Sequence, residues 1–124
     1  DMLPRHTDVY VGSAYDGEQD VEVRRLDTLF DRYYRPGNTV FLKVDTQGYE
    51  RPVLDGASAA LDHIAGVQVE LSLVPLYRGE PPLSEMVAYL DARGFTLMSI
   101  EPVFGDPVTG QLLQADGLFF RPPP

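Results

Sequence analysis

The stretch Val40-Phe41-Leu42-Lys43-Val44-Asp45-Thr46-Gln47-Gly48-Tyr49-Glu50 decides how the rest of the chain is read. A short apolar strand with one embedded lysine ends abruptly on an acid, a glycine follows, and a second acid stands where a helix would start. Side chains alternate along a strand, so Val40, Leu42 and Val44 share one face while Phe41, Lys43 and Asp45 share the other. Bulky apolar residues on both faces suit a central parallel strand. Ligands of open α/β sheets bind in the crevice beyond the carboxyl ends of the strands, which makes Asp45 a candidate for chemistry.

Outward from this stretch, the pattern is that of an α/β domain. Glu50 to Leu54 starts a helix in which Pro52 falls in the tolerant first turn. Gly56 interrupts it and Ala57 to Ile64 continue it. Val67 to Val74 forms a second strand, with Val67, Val69, Leu71 and Leu73 on one face and Gln68, Glu70 and Ser72 on the other. Strand, helix and strand at this spacing make a βαβ unit. Upstream, residues 1–20 read as an irregular arm or connector. Val21 and Val23 suggest a short extended segment, and Asp27 can cap a helix from Thr28 to Tyr34 with Leu29, Phe30 and Tyr33 on its apolar side. Downstream, a loop spans Pro75 to Pro82, and Leu83, Met86, Val87 and Leu90 recur at helical spacing before Gly94. A third strand is expected over Phe95 to Ile100, a long connection over Pro102 to Gly110, and a fourth strand over Leu112 to Phe120. The domain is read as residues 21–121, with 122–124 as a tail.

Composition bounds the function. The chain has 124 residues, of which 44% are hydrophobic and 23% charged, enough for one domain with one core. It has no cysteine, so disulfides, thiolate metal sites and cysteine nucleophiles are excluded. His6 and His63 lie far apart without ligand spacing, and no structural zinc pattern is present. A formal net charge of −9 argues against binding a phosphate backbone, and the plain reading of the acidity is solubility. No apolar run reaches the ~18 residues of a membrane span, and no signal segment opens the chain. A cytoplasmic protein is therefore expected. The chain opens at Asp1 without an initiator Met, which suggests a processed or excised piece. An interior strand such as Val40–Val44 has only Val67–Val74 as a plausible parallel neighbour here. Further strands encoded upstream are accordingly expected on its other edge, because native proteins avoid bare edges.

A lysine in a buried strand needs a partner, since an unpaired buried charge is costly. Asp45 lies on the same face as Lys43, and Glu70 in the neighbouring strand could also reach it. The three could simply neutralise one another. Topology brings the loops Asp45–Glu50, Pro75–Pro82 and Pro102–Gly110 to one crevice, and with them Asp45, Glu50, Glu70, Tyr77, Arg78, Phe104 and Asp106. Gln114 and Asp116 at the start of the last strand approach the same side.

Leu42-Lys43-Val44-Asp45-Thr46-Gln47-Gly48-Tyr49-Glu50, followed by Val53-Leu54-Asp55-Gly56-Ala57, resembles the K-I-D-V-E/Q-G-x-E … V-L-x-G-A signature of FkbM-type methyltransferases. The resemblance continues through Val69-Glu70-Leu71-Ser72-Leu73-Val74-Pro75-Leu76-Tyr77 and Thr109-Gly110-Gln111-Leu112-Leu113-Gln114-Ala115-Asp116-Gly117-Leu118-Phe119, and begins at Arg25-Leu26-Asp27. It implies the C-terminal half of a Rossmann-like class I methyltransferase: a mostly parallel sheet with a terminal antiparallel strand and flanking helices. It also implies S-adenosylmethionine as methyl donor and a hydroxyl of a sugar or secondary metabolite as acceptor. The glycine-rich donor loop and the acid that holds the donor ribose have no counterpart between Asp1 and Pro124.

On that resemblance, Asp45 is the first candidate for the general base that takes the hydroxyl proton, and Glu50 the second. Glu50 could instead serve its helix N-terminus electrostatically. Asp45 would also lie against the donor, and Tyr77, Arg78, Glu70 and Asp116 would contact the acceptor. A variant has Asp45 as one ligand of a divalent metal whose other ligands the sequence does not identify. Two rival readings exist. Asp45-Thr46-Gln47-Gly48 also resembles the D-x-x-G switch of P-loop GTPases, but no N-K-x-D motif follows. The chain could also be a non-catalytic half-domain that binds a partner, or a second copy of itself, through its exposed sheet edge.

Overall fold

A computed structural model describes Leu3 and residues 17–123. Helix α1 (Leu26–Tyr33) precedes strand β1 (Val40–Val44). Helix α2 (Glu50–Asp55) and a 3-10 turn (Ala60–His63) lead into strand β2 (Ile64–Ser72). Helix α3 (Leu83–Asp91), strand β3 (Thr96–Gly105) and strand β4 (Leu112–Phe120) complete the order.

The strands form one sheet in the order β1-β2-β4-β3. β1 and β2 are parallel, as the helical crossover between them requires. β4 inserts between β2 and β3 and runs antiparallel to both. The sheet is therefore mixed rather than mostly parallel. The expected antiparallel last strand is there, but it lies inside the sheet and sets the direction of two of the three pairings.

The core lies on one face. Val67, Val69 and Leu71 of β2 pair with Phe119, Gly117 and Ala115 of β4, and these residues are buried beneath Leu54, Leu61, Met86 and Leu90. Full burial of each large aliphatic side chain contributes roughly 1.5–3 kcal/mol. The other face is open. It carries Phe41, Lys43, Gln68, Glu70, Asp116 and Phe120, and the Phe41 and Phe120 rings meet there at 5.8 Å. Gly66 lies between these rings, and a Cβ there would come within 2.8 Å of both.

Several expectations change. β1 is not buried on both faces: Phe41 is 47% exposed, and the outer edge of β1 pairs with no described strand. Val21 and Val23 belong to no strand and are exposed, as is Tyr33. Asp27 does not cap its own helix, whose N-cap is Arg25. Its carboxylate crosses to accept the N–H groups of Ala59 (3.2 Å) and Ala60 (2.8 Å), at the start of the 3-10 turn. In place of the expected Ala57–Ile64 helix there is a 3-10 turn over Ala60–His63, and β2 starts already at Ile64. β3 extends through Pro102 to Gly105, because an edge strand tolerates a proline that donates no ladder bond. The arm assigned to 1–20 lies mostly outside the described residues; of it, the Leu3 N–H donates to the Leu76 carbonyl at 2.7 Å.

Two cationic clasps close the helical layer. The Tyr89 ring lies between the guanidinium groups of Arg51 (3.9 Å) and Arg93 (3.5 Å), and its hydroxyl donates to Asp55 at 2.9 Å. Just past β4, Arg121 donates to the carbonyls of Ile64 (3.1 Å), Arg93 (2.9 Å) and Leu61 (2.8 Å) and stacks over Phe95 at 4.3 Å. Removing it orphans helix-end carbonyls, so Arg121→Met is expected to lower unfolding stability by about 2–4 kcal/mol in urea titrations. Arg121→Lys, a point charge in place of a fork, should recover only part of that loss. Equal stability of wild type and Arg121→Met would refute the clasp.

Candidate functional site

The loop that follows β1 is built on a carboxylate. Glu50 opens α2 and is only 2% exposed. Its Oε1 accepts the N–H groups of Thr46 at 3.1 Å and Gly48 at 3.2 Å, two donors that would otherwise lack strand partners. The geometry gives Glu50 the work of holding the loop. Gln47 lies in the left-handed region at φ +56°, an unusual place for a non-glycine residue. Gly48 follows at φ +94°, and a Cβ there would fall 2.2 Å from the Tyr77 Cβ. Only glycine lets the Tyr77 ring close over this turn.

Asp45 leads into that turn with its side chain 46% exposed. Lys43 Nζ lies 4.0 Å from Asp45 Oδ2 but is itself 59% exposed, so it is a surface lysine rather than the buried one expected. Exposed pairs of this kind contribute about 0–1 kcal/mol. Lys43 thus does not sequester Asp45.

The register explains the rest of the open face. Val44 pairs with Val69, Glu70 with Asp116, and Asp116 with Glu101. Asp45, Glu70, Asp116 and Glu101 consequently follow one another across the sheet. Gln68 Nε2 donates to Asp116 Oδ2 at 3.0 Å, whereas Glu70 Oε2 is buried and accepts no hydrogen bond from the described residues. Burial first, and then the charges of Asp45, Glu50 and Asp116 with a hydrogen bond to Asp45, push the Glu70 carboxyl up to about 8. Two carboxyl groups can hydrogen-bond only when one carries a proton. Glu70 accordingly keeps its proton near neutral pH. Among the described residues, no three His, Asp or Glu side chains converge as a metal-holding group.

The second loop repeats the device. Glu80 Oε2 accepts the N–H groups of Leu76 (3.1 Å) and Tyr77 (3.2 Å), while its Oε1 receives the Ser72 hydroxyl. This pins the end of β2 beside a groove of about 230 Å³ between Ser72–Pro75 and Glu80–Pro82. Tyr77 is buried and donates its hydroxyl to Gln47 Oε1, which joins the two loops; Arg78 is exposed. In the third loop, Asp106 is 7% exposed and accepts the N–H groups of Val108 (2.9 Å) and Thr109 (3.4 Å). It organises the β3–β4 hairpin, with Phe104 and the buried Gln114 paired just before it.

The structure therefore brings Asp45, Glu70, Gln47 and Tyr77 into one constellation, with Glu50 beneath it and Asp116 beside it. Gln47 and Glu80 were not singled out in the sequence. The Gln-Gly pair at a strand end was the available signal for the first, and nothing local marks the second.

Comparison with known families fits this picture. The family model described as the methyltransferase FkbM domain matches residues 3–97. The chain belongs to the FkbM methyltransferase family. Searches of curated proteins and of solved structures gave no match. The matched span holds β1, β2, α3 and both carboxylate-held loops, so Asp45, Glu50, Glu70, Tyr77 and Arg78 of this FkbM domain fall within it, whereas Asp116 lies beyond it.

The Glu70 environment sets a stability signature. Its ordinary value is 4.5 and its folded value about 8. Between those values the folded chain keeps a proton that the unfolded chain releases, so stability falls as pH rises through the window and levels off above it. Urea midpoints measured across that range should drop in wild type. Glu70→Gln, which keeps a neutral side chain able to donate to Asp45, should flatten this component and gain stability at the alkaline end. An unchanged slope in the variant would contradict the assignment.

Proposed function

We propose that residues 21–121 form the acceptor-side half of an S-adenosylmethionine-dependent O-methyltransferase, acting on a hydroxyl of a sugar or other secondary metabolite. The observation that carries this reading is the exposed Asp45 carboxylate at the end of β1, on a loop held from beneath by Glu50, in a member of the FkbM family.

The donor fits this chain in part. Carboxylates at the strand ends suit the cationic end of a sulfonium, and Asp45 is the residue that would face it, while no glycine-rich cradle for the rest of the donor occurs among the described residues. When bound, S-adenosylmethionine supplies a methyl carbon activated by positively charged sulfur. The contribution of this chain concerns the alcohol. A hydroxyl is a weak nucleophile, and Asp45, within reach of the open face, accepts its proton as the oxygen forms its new bond to carbon. Glu70, already protonated, cannot compete for that proton and can donate to Asp45 or to an acceptor oxygen. Asp116, Tyr77 and Arg78 border the space where the acceptor would be aligned, and alignment is where such enzymes gain most.

Asp45→Asn in the full-length protein should lower kcat by about 100-fold or more. The assay is transfer of labelled methyl from S-adenosylmethionine, at saturating donor, to a panel of hydroxylated small molecules. A rate within a few-fold of wild type would remove Asp45 from the role. A second reading, a module that binds a partner through its sheet edge, draws support from the outer edge of β1, which pairs with no described strand.

A further inference from the structure

Gln47 is exposed, yet it combines three features that an ordinary loop residue would not need. It occupies the left-handed region at φ +56° without being glycine, a conformation that costs free energy unless its surroundings impose it. Its Nε2 donates to Asp45 Oδ1 at 3.3 Å. Its Oε1 accepts the Tyr77 hydroxyl, from a tyrosine that is 3% exposed and pressed against Gly48. The direction of the chain is fixed by chemistry. An ionised carboxylate only accepts, so the NH2 end of the amide must face Asp45, which leaves the carbonyl end for a hydroxyl that donates. The backbone on either side is held as well, since Glu50 takes the N–H groups of Thr46 and Gly48.

Resting on the methyl-transfer reading for its purpose but not for its geometry, the structure assigns Gln47 the role of positioning residue for Asp45. With its amide oxygen held by the Tyr77 hydroxyl, its NH2 group is aimed at the Asp45 carboxylate and fixes its orientation at the end of β1. The arrangement is a relay of donors, Tyr77 to Gln47 to Asp45, met from the other side by the Glu70 carboxyl. One Asp45 oxygen is then occupied by Gln47, and Lys43 Nζ lies 4.0 Å from the other, beyond hydrogen-bonding range, an arrangement that leaves lone pairs for an acceptor hydroxyl. The titratable and charged groups facing this pair from the packed elements are Lys43 on β1, Glu50 on α2, Glu70 on β2 and Asp116 on β4. Gln47 is the neutral donor among them. A lysine in its place would add charge without a fixed direction.

Two variants separate positioning from folding. Gln47→Asn tolerates the left-handed backbone but is too short to span Tyr77 and Asp45. Tyr77→Phe removes only the hydroxyl and keeps the ring against Gly48. The full chain, labelled at the Asp carboxyl carbons and the Gln side-chain amides, is followed by NMR at constant pH. In wild type, the two Gln47 Nε2 protons should resolve apart, one of them being held against Asp45. In Tyr77→Phe that separation should collapse, and in either variant the Asp45 carboxyl carbon should shift, with the cooperative urea transition retained. Turnover by the full-length protein on the same acceptor panel should fall about tenfold or more in kcat while the KM for donor stays within a few-fold. An Asp45 carboxyl signal identical to wild type in both variants would overturn the proposal. So would a kcat unchanged in both while wild type turns over. A protein that transfers no methyl as wild type, yet shows these NMR changes in the variants, would defeat the methyl-transfer reading and leave the positioning contact supported.

Discussion

Main-chain N–H groups at the ends of parallel strands have no ladder to enter, and burying them unpaired costs about 1–3 kcal/mol each. This chain answers with carboxylates. Glu50 accepts two such groups in the loop after β1, Glu80 two in the loop after β2, and Asp106 two in the hairpin after β3. Asp27 does the same at the start of the 3-10 turn that feeds β2. Every loop at the candidate crevice thus hangs on one buried or half-buried acid. The turn at Gln47-Gly48 depends most on it, because Gln47 has a positive φ without being glycine.

This use of acids separates two populations that composition merges. A formal net charge of −9 reads as solubility, and much of it is. Four carboxylates nevertheless serve as internal hydrogen-bond acceptors, and Glu70 is held protonated near neutral pH by burial and by its acidic neighbours. The acidic row Asp45, Glu70, Asp116 and Glu101 follows from strand register, which places one acid from each strand in line on the uncovered face. The same face carries the exposed Phe41 and the outer edge of β1, so the open side of the sheet and the candidate chemistry coincide.

Much of this was legible in the sequence where the signal is local. The alternation in Val67–Leu73 gave the second strand, the Leu83–Leu90 spacing the third helix, and the Leu112–Phe120 run the last strand, with its bounds as observed. Asp45 was found because it ends a strand, and Glu70 because it interrupts an apolar one. Contacts across long separations were not legible. Asp27 looks like a helix cap but serves Ala59 and Ala60 more than thirty residues away, as its two hydrogen bonds record. Lys43 looks buried because its neighbours are apolar, yet it faces the uncovered side of the sheet. Nothing local marks Arg121, the last residue before the tail, yet it ties together the carbonyls of Leu61, Ile64 and Arg93. Sequence order does not state which main-chain groups lack partners, so the side chains that supply them cannot be read from it.

Glu50 is the fixed support of the loop that presents Asp45. Amide hydrogen exchange at Thr46 and Gly48 reads it directly, because those two N–H groups are the ones its carboxylate holds. In the full chain both amides should exchange slowly, and Glu50→Ala should release both while the amides of β2 remain protected. Exchange at Thr46 and Gly48 as fast as in an open loop in wild type, or unchanged protection in the variant, would contradict the account.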